Sequence, residues 1–449
     1  MAAKRFNLKL KKRIKAFSKT IEVDPDKSIS IRSFLIGSIS QNISSVKNVL
    51  MSEDVISTIR CLKKLGVDIK KKGSQEFHIY GRGLGSLFIS TKKAKLNFGN
   101  SGTLARLLIG ILATTPKVKV YFNGDSSLNK RSMKKLVLLM SEFGASFFPK
   151  NKFNFPLKMH SSNFPIGIKY KAGVSAQLKS AVIFAGLNSY GETEIYENNL
   201  SRNHTENMLL KNSGVIKIKG HKKKVIKVQG KKYLRSMNIN VPGDPSSAAF
   251  FTALTLLNKK SFIKIKNVGL NSTRVGFYNL LKKHGAKIKF SKISNQNNEI
   301  RGDIIIKSGK IKPLKAGKEY YVNSTDEYPI LFVIAALTKG TSIFKGIQDL
   351  ANKESNRIKE MQKVLGQIGV KSIYSKNEIK IFGKGMIDGE NKKIIVPSLG
   401  DHRICMSSFI LGAITGANTS IKNFETVYTS SPSFLKIMKT LGASFEIQK

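Results

Sequence analysis

The chain has no tryptophan, two cysteines and only 28 acidic residues among its 449. Two isolated cysteines, Cys61 and Cys405, cannot build a disulfide framework and lack the paired spacing of a zinc site. The six histidines are scattered, with no helical two-histidine pattern. A reducing compartment and a reaction that uses no metal and no cofactor are therefore expected. The longest apolar stretches, Leu107 to Ala113 and Ile330 to Leu337, fall well short of the ~20 residues of a membrane span. A soluble, cytoplasmic protein without a membrane partner is the expectation.

The shortage of acid leaves 78 Lys and Arg and a formal charge of +50. With 41% hydrophobic residues the chain is too apolar for a disordered polycation, and its length suggests two domains. Thirteen of the cations are arginine, leaving 65 as lysine, the solvated cation with the weaker geometric preference. They are spread thinly: the longest pure runs, Lys70 to Lys72 and Lys222 to Lys224, are three residues. This reads as surface charge, and no nucleic-acid partner is expected. Residues 1 to 20 hold eight Lys/Arg and no acid, but are serine-poor and lack an apolar core. They read as a basic lead-in to the first strand, not as a transit peptide.

An internal repeat organises the chain. A helix-like segment ending in glycine, then a small or β-branched residue and a strand, recurs at Gly66, Gly144, Gly214, Gly285, Gly369 and Gly442. The spacings are 78, 70, 71, 84 and 73 residues. Glycine there suits a left-handed helix C-terminus, and six such exits predict six α/β units, three per domain. Val241 to Phe250 falls between the third and fourth copies and reads as a crossover, with Ser246 or Ser247 capping the next helix.

Several arginines cluster at predicted helix starts. Asp26 to Arg32 places Ser28 and Arg32 at i,i+4 behind Lys27, and Asn100-Ser101-Gly102-Thr103 feeds the helix-like Leu104 to Ala113. Lys130-Arg131, Lys353 to Arg357 and Asp401-His402-Arg403 each read as opening a helix, and Asp326 to Pro329 as introducing a buried one. Acids at helix starts are ordinary partners of the helix dipole. Lys27, Arg131, Lys353, Arg357 and Arg403 oppose that preference, which points to bound anions. Gly81 to Gly85, by contrast, reads as a plain turn.

Together with Ser175-Ala176-Gln177, Gly243-Asp244-x-Ser246-Ser247-Ala248 and Ser201 to Glu206, these segments resemble, in order, the signature of the 3-phosphoshikimate 1-carboxyvinyltransferase (EPSP synthase) family. The likeness is to its bacterial class with Asp-Glu-Tyr-Pro, and it covers nearly the whole chain. It implies two inside-out α/β barrel domains, each of three βαβαββ-like units, with the active site in the interdomain cleft. Residues 1–23 and 244–449 would form the lower domain and 24–243 the upper, with hinges near 24 and 243. It also implies closure of that cleft on substrate.

The implied reaction moves the carboxyvinyl group of phosphoenolpyruvate to the 5-hydroxyl of shikimate 3-phosphate. By resemblance, Lys27, Ser28, Arg32, Ser175, Ala176, Gln177, Arg202, Asp326 and Lys353 bind shikimate 3-phosphate. Lys27, Asn100, Gly102, Arg131, Gln177, Arg357 and Arg403 bind phosphoenolpyruvate. Asp326 holds the reacting hydroxyl and takes its proton; Glu354 exchanges protons at the methylene carbon, with Lys27 as the competing acid/base. The implied protein is a monomer with small-molecule substrates. Ser132 stands where the family usually has proline, and Thr429 where many members have a lysine. Gly102 is a position where alanine accompanies glyphosate insensitivity in relatives, so glycine here implies that glyphosate competes with phosphoenolpyruvate. The rivals are the enolpyruvyl transferase acting on UDP-N-acetylglucosamine, which usually carries a cysteine in a Gly-rich loop, and a basic nucleic-acid-binding α/β repeat protein.

Overall fold

The computed structural model describes residues 5–89, 94–212 and 214–448. Among them the strands form six four-stranded sheets of one design. In each, the first two strands run parallel and the third pairs antiparallel with the second. A fourth strand lies beyond the third. Parallel neighbours need a crossover, and in four sheets helices supply it, as the expected strand–helix–strand–helix–strand–strand unit requires; the parallel pairs of Ser18–Glu22 with Phe262–Gly269 and of Ile43–Lys47 with Asn238–Asn240 join strands far apart in sequence.

Two compact units hold three sheets each. The described residues up to Asp24, with Pro242–Ser294 and Ile300 onward, form the terminal unit. Pro25–Val241 and Asn295–Glu299 form the inserted unit. Each is built around helices without a polar face. In the terminal unit, Pro245–Leu257, Tyr328–Ala336 and His402–Thr415 are buried at every residue. In the inserted unit, Lys27–Ile39, Gly102–Ala113 and Ala176–Leu187 are buried along almost their whole length. A helix buried on all sides lies inside, so the sheets form the outer layer. The remaining longer helices, such as Glu53–Lys64 and Arg357–Gln367, bury one stripe and expose the other. Gly110 lets two central helices touch: a Cβ there would sit 2.5 Å from the Ala181 carbonyl oxygen.

The repeat glycines behave as expected at five positions: Gly66, Gly144, Gly285, Gly369 and Gly442 have φ between 78° and 94°. The copy at Gly214 follows Ser213, which lies outside the described residues. Gly81 to Gly85 is a turn region.

Three local expectations need correction. The basic N-terminal segment is more than a lead-in: Asn7–Leu10 is an inner strand between Asn418–Ile421 and Glu446–Gln448. Its buried Leu8 and Leu10 alternate with the solvent-facing Lys9, so charge density hid a two-residue period. The helix after the crossover is capped by Asp244, whose carboxylate accepts from Ser246 N at 2.8 Å with Pro245 in the first turn. Neither Ser246 nor Ser247 caps it, because a carboxylate before proline takes the same free N–H. Arg131 and Lys353 do not open helices either; they follow the C-terminal ends of Ser126–Lys130 and Gln348–Asn352, where a cation is favoured.

Candidate functional site

In the inserted unit the three central helices begin beside one another, capped by Asp26, Ser101 and Ser175, which accept from Ile29, Leu104 and Leu178 N. Their free N-terminal N–H groups and dipoles make a ready site for anions. Side chains from one helix reach the next. Gln177 Nε2 donates to Thr103 Oγ1 at 3.0 Å, and Arg106 Nη1 donates to Gln177 Oε1 at 2.9 Å and to Gly102 O at 3.1 Å. Arg131 Nη2 donates to Asn100 Oδ1 at 2.7 Å, and Asn100 Nδ2 in turn to Asp125 Oδ2 at 2.7 Å.

Arg32 is buried and held by uncharged acceptors. Its Nε reaches Thr205 Oγ1 at 2.8 Å, Nη2 reaches Ser180 Oγ at 3.1 Å, and Nη1 reaches the Ser28 carbonyl at 3.1 Å. The half-buried Arg202 lies three residues before Thr205. Lys27 pairs with Asp54 at 3.2 Å. Thus Lys27, Ser28, Arg32, Asn100, Gly102, Arg131, Ser175, Ala176 and Gln177 all cluster at these helix starts. Arg106, Asp54 and Asp125 are additions that sequence reasoning missed. The signal for Arg106 was its i,i+4 spacing from Gly102.

The terminal unit supplies carboxylates around one guanidinium. Arg357, 1% exposed, donates through Nε to Asp401 Oδ2 at 2.9 Å and through Nη2 to Glu354 Oε2 at 2.6 Å. Its Nη1 lies 3.6 Å from Asp326 Oδ1. Burial pushes the Arg357 guanidinium towards neutrality, but Asp401, Glu354 and Asp326 outweigh it and hold its pKa above the usual value. Asp401, wholly buried, also caps the His402–Thr415 helix by accepting from Arg403 N at 3.0 Å, and accepts from Ser355 Oγ at 2.9 Å. Asp326, Glu354 and Arg357 are therefore together. Asp326 and Glu354 keep 25% and 21% exposure, enough to meet a ligand.

Lys353 turns elsewhere: its Nζ donates to Asp349 Oδ2 at 2.7 Å, which also accepts from Tyr321 OH at 3.0 Å. Burial raises the Tyr321 hydroxyl pKa, with Asp349 and Asp326 adding to it. Arg403, 5% exposed, rests on the Phe250 ring, 5.8 Å from its centroid. Its Nε and Nη1 are buried without a hydrogen-bond partner, as is Ser407 Oγ one turn on. An interior guanidinium with idle donors is what an anion would satisfy. Behind Asp326, Ser246 Oγ donates to Glu327, and Arg274 Nη2 reaches Ser246 Oγ at 2.9 Å and Asp244 Oδ1 at 3.0 Å.

The family model for EPSP synthase (3-phosphoshikimate 1-carboxyvinyltransferase) matches residues 11–438. The chain belongs to the EPSP synthase family. It is 36% identical to the 3-phosphoshikimate 1-carboxyvinyltransferase of Paramagnetospirillum magneticum over 94% of each chain. It is 36% identical to that of Bacillus cytotoxicus over 96% of this chain and 99% of the other. EPSP synthase from Acinetobacter baumannii superposes with a TM-score of 0.85 at 32% identity, covering 99% of this chain and all of that one. The enolpyruvyl transferase NikO from Streptomyces tendae shares the fold, with a TM-score of 0.76 at 12% identity and 99% of both chains covered. The two-domain inside-out α/β architecture is that of EPSP synthases. No helix among the described residues is long and apolar enough to cross a membrane.

Proposed function

We propose that the chain carries out its family's reaction, transfer of the carboxyvinyl group of phosphoenolpyruvate to the 5-hydroxyl of shikimate 3-phosphate with release of phosphate, and that its side chains divide the work as follows. Asp326 accepts the proton of the attacking hydroxyl. Glu354 serves the methylene carbon, which gains a proton as the hydroxyl oxygen adds to the adjacent carbon and loses one as phosphate departs. Lys27 competes for that second role. Addition followed by elimination requires a proton to be moved twice at neighbouring atoms, so a base and an acid/base must stand close together.

The observation that carries this reading is the clasp of Arg357 by Asp326 and Glu354. One fixed cation holds both carboxylates near each other, and its Nη1 has no hydrogen bond of its own. Lys27, Ser28, Arg32, Ser175, Ala176, Gln177, Arg202 and Lys353 would bind shikimate 3-phosphate with Asp326. Asn100, Gly102, Arg131, Gln177, Arg357 and Arg403 would bind phosphoenolpyruvate with Lys27. Both substrates carry a phosphate and a carboxylate, matching the helix N-termini and the idle Arg403 donors.

The terminal and inserted units correspond in this reading to the family's lower and upper domains. The protein acts as a monomer in the cytoplasm and binds no nucleic acid, the lysine excess giving only a long-range field that draws anionic substrates. Single-turnover experiments with phosphoenolpyruvate in deuterated water test the division of labour. Glu354→Gln should slow deuterium entry into the methylene group; unchanged entry with loss in Lys27→Met would reverse the two roles.

A further inference from the structure

We propose that a buried cluster of Lys179 with Glu197, Glu206 and Ser201 is a positioning device for Arg32 and Arg202, and so sets affinity for one of the two substrates, shikimate 3-phosphate. The inference rests on the functional reading above, in which those two arginines meet that substrate while Arg131 and Arg403 meet the other.

Among the described residues Lys179 is the one lysine in the protein interior, with a fully buried side chain, although lysine makes up most of the chain's 78 cations. Its Nζ lies 2.7 Å from Glu197 Oε1 and 2.6 Å from Glu206 Oε1, both carboxylates being almost inaccessible. The Ser201 carbonyl stands at 3.5 Å. Glu197 Oε1 also accepts from Ser201 N at 2.8 Å and from Ser201 Oγ at 2.7 Å. The central helix Ala176–Leu187, the strand Glu192–Glu197, the loop at Ser201 and the helix His204–Leu209 are thereby tied at a single point.

Burying charge is expensive, and apolar side chains of similar volume fill such space at least as well. What charged groups add is geometry, because each contact has one distance and direction. Three of the four cluster members adjoin Arg202 or an acceptor of Arg32. Ser180 follows Lys179 and accepts from Arg32 Nη2; Thr205 precedes Glu206 and accepts from Arg32 Nε; Arg202 follows Ser201. The Ser180 and Thr205 hydroxyls are 2.8 Å apart, so a shift of either helix moves both of these acceptors of Arg32. Arg131 and Asn100 hang instead from Ser127 and Asp125, outside this network. The cluster therefore acts first on the groups that meet shikimate 3-phosphate, while Gln177 on the same helix as Lys179 serves both ligands.

The test compares Ser201→Ala, Glu206→Gln and Lys179→Met with the native chain. Shikimate 3-phosphate affinity is read by titration calorimetry, KM for each substrate by steady-state kinetics, and folding by thermal melting. Ser201→Ala and Glu206→Gln should remain folded and lose about tenfold in shikimate 3-phosphate affinity, with KM for phosphoenolpyruvate within about twofold. Ser201→Thr, which keeps the hydroxyl, should restore most of the loss. Lys179→Met removes the central charge and should show the largest effect; where it does not fold, the other two variants decide. Folded Ser201→Ala and Glu206→Gln with native affinity, or with both KM values rising together, would overturn the proposal. A native chain that does not bind shikimate 3-phosphate would overturn the functional reading and this inference with it.

Discussion

Arg357 and Asp401 form an ion pair in which neither side chain reaches solvent, with Nε 2.9 Å from Oδ2 and exposures of 1% and 0%. Asp401 thereby does three things at once: it neutralises the guanidinium, caps the last central helix through Arg403 N, and holds Ser355. Removing one partner of a buried pair leaves an uncompensated charge, at a cost of about 3–5 kcal/mol.

Asp401→Ala should thus lose stability on that scale and lower the melting temperature clearly. Asp326→Asn, at a position 25% exposed and on the rim of the same cluster, should melt near the native temperature while its kcat falls roughly 10²- to 10⁴-fold. Differential scanning calorimetry beside steady-state kinetics checks both. Equal melting losses in the two variants would show that Asp326 is as structural as Asp401.

Arg403 is predicted to behave in the opposite way. Its Nε and Nη1 are buried without partners, a standing cost of about 1–3 kcal/mol in the ligand-free protein. Arg403→Met should therefore melt no lower than the native chain, yet raise KM for phosphoenolpyruvate at least tenfold. A destabilised variant with unchanged KM would mean that the guanidinium serves packing on Phe250 alone.

Gly102→Ala tests the crowding at the second helix start. A Cβ there would meet Arg106 Nη1 at 2.8 Å and Arg131 Nη1 at 3.3 Å. Both atoms end flexible side chains, so the helix should fold normally while the two guanidinium groups move. KM for phosphoenolpyruvate is expected to rise severalfold, with a larger loss of glyphosate inhibition, both read from initial rates. Unchanged constants would mean that neither arginine faces the ligand from its present position.

The cysteines should be silent. Burial pushes the Cys61 thiol up to about 12, with Lys64 opposing, and burial beside Asp401 also raises Cys405. Neither forms the thiolate that reacts near neutral pH. An aromatic disulfide reagent at pH 8 should label no thiol in the native chain and both after denaturation. Rapid labelling with loss of activity would show that the helix carrying the labelled cysteine opens readily in the native chain.

The repeat and the site motifs were legible in the sequence because both rest on local signals. Helix-ending glycines recur every 70 to 84 residues, and Asp26, Ser101, Ser175 and Asp401 cap helices within a few residues of the side chains they help present. What stayed hidden depends on contacts far apart in sequence. Nothing near Asn7–Leu10 announces a partner more than 400 residues away. Arg131 and Lys353 read as helix openers in the sequence because a cation after a short helix and one before the next look alike in a linear string. The clasp on Arg357 joins residues 326, 354 and 401 through three separate elements, and Lys179 was indistinguishable from surface lysines until its two glutamates came together in space.

In this mechanism Asp326 and Lys27 act in one reaction on two phosphorylated acids. It is tested most directly by phosphate release from phosphoenolpyruvate with and without shikimate 3-phosphate, in the native chain, Asp326→Ala and Lys27→Met. Release should require shikimate 3-phosphate in the native chain and fall at least 10²-fold in each folded variant. Release independent of shikimate 3-phosphate, or retained in both variants, would contradict the account.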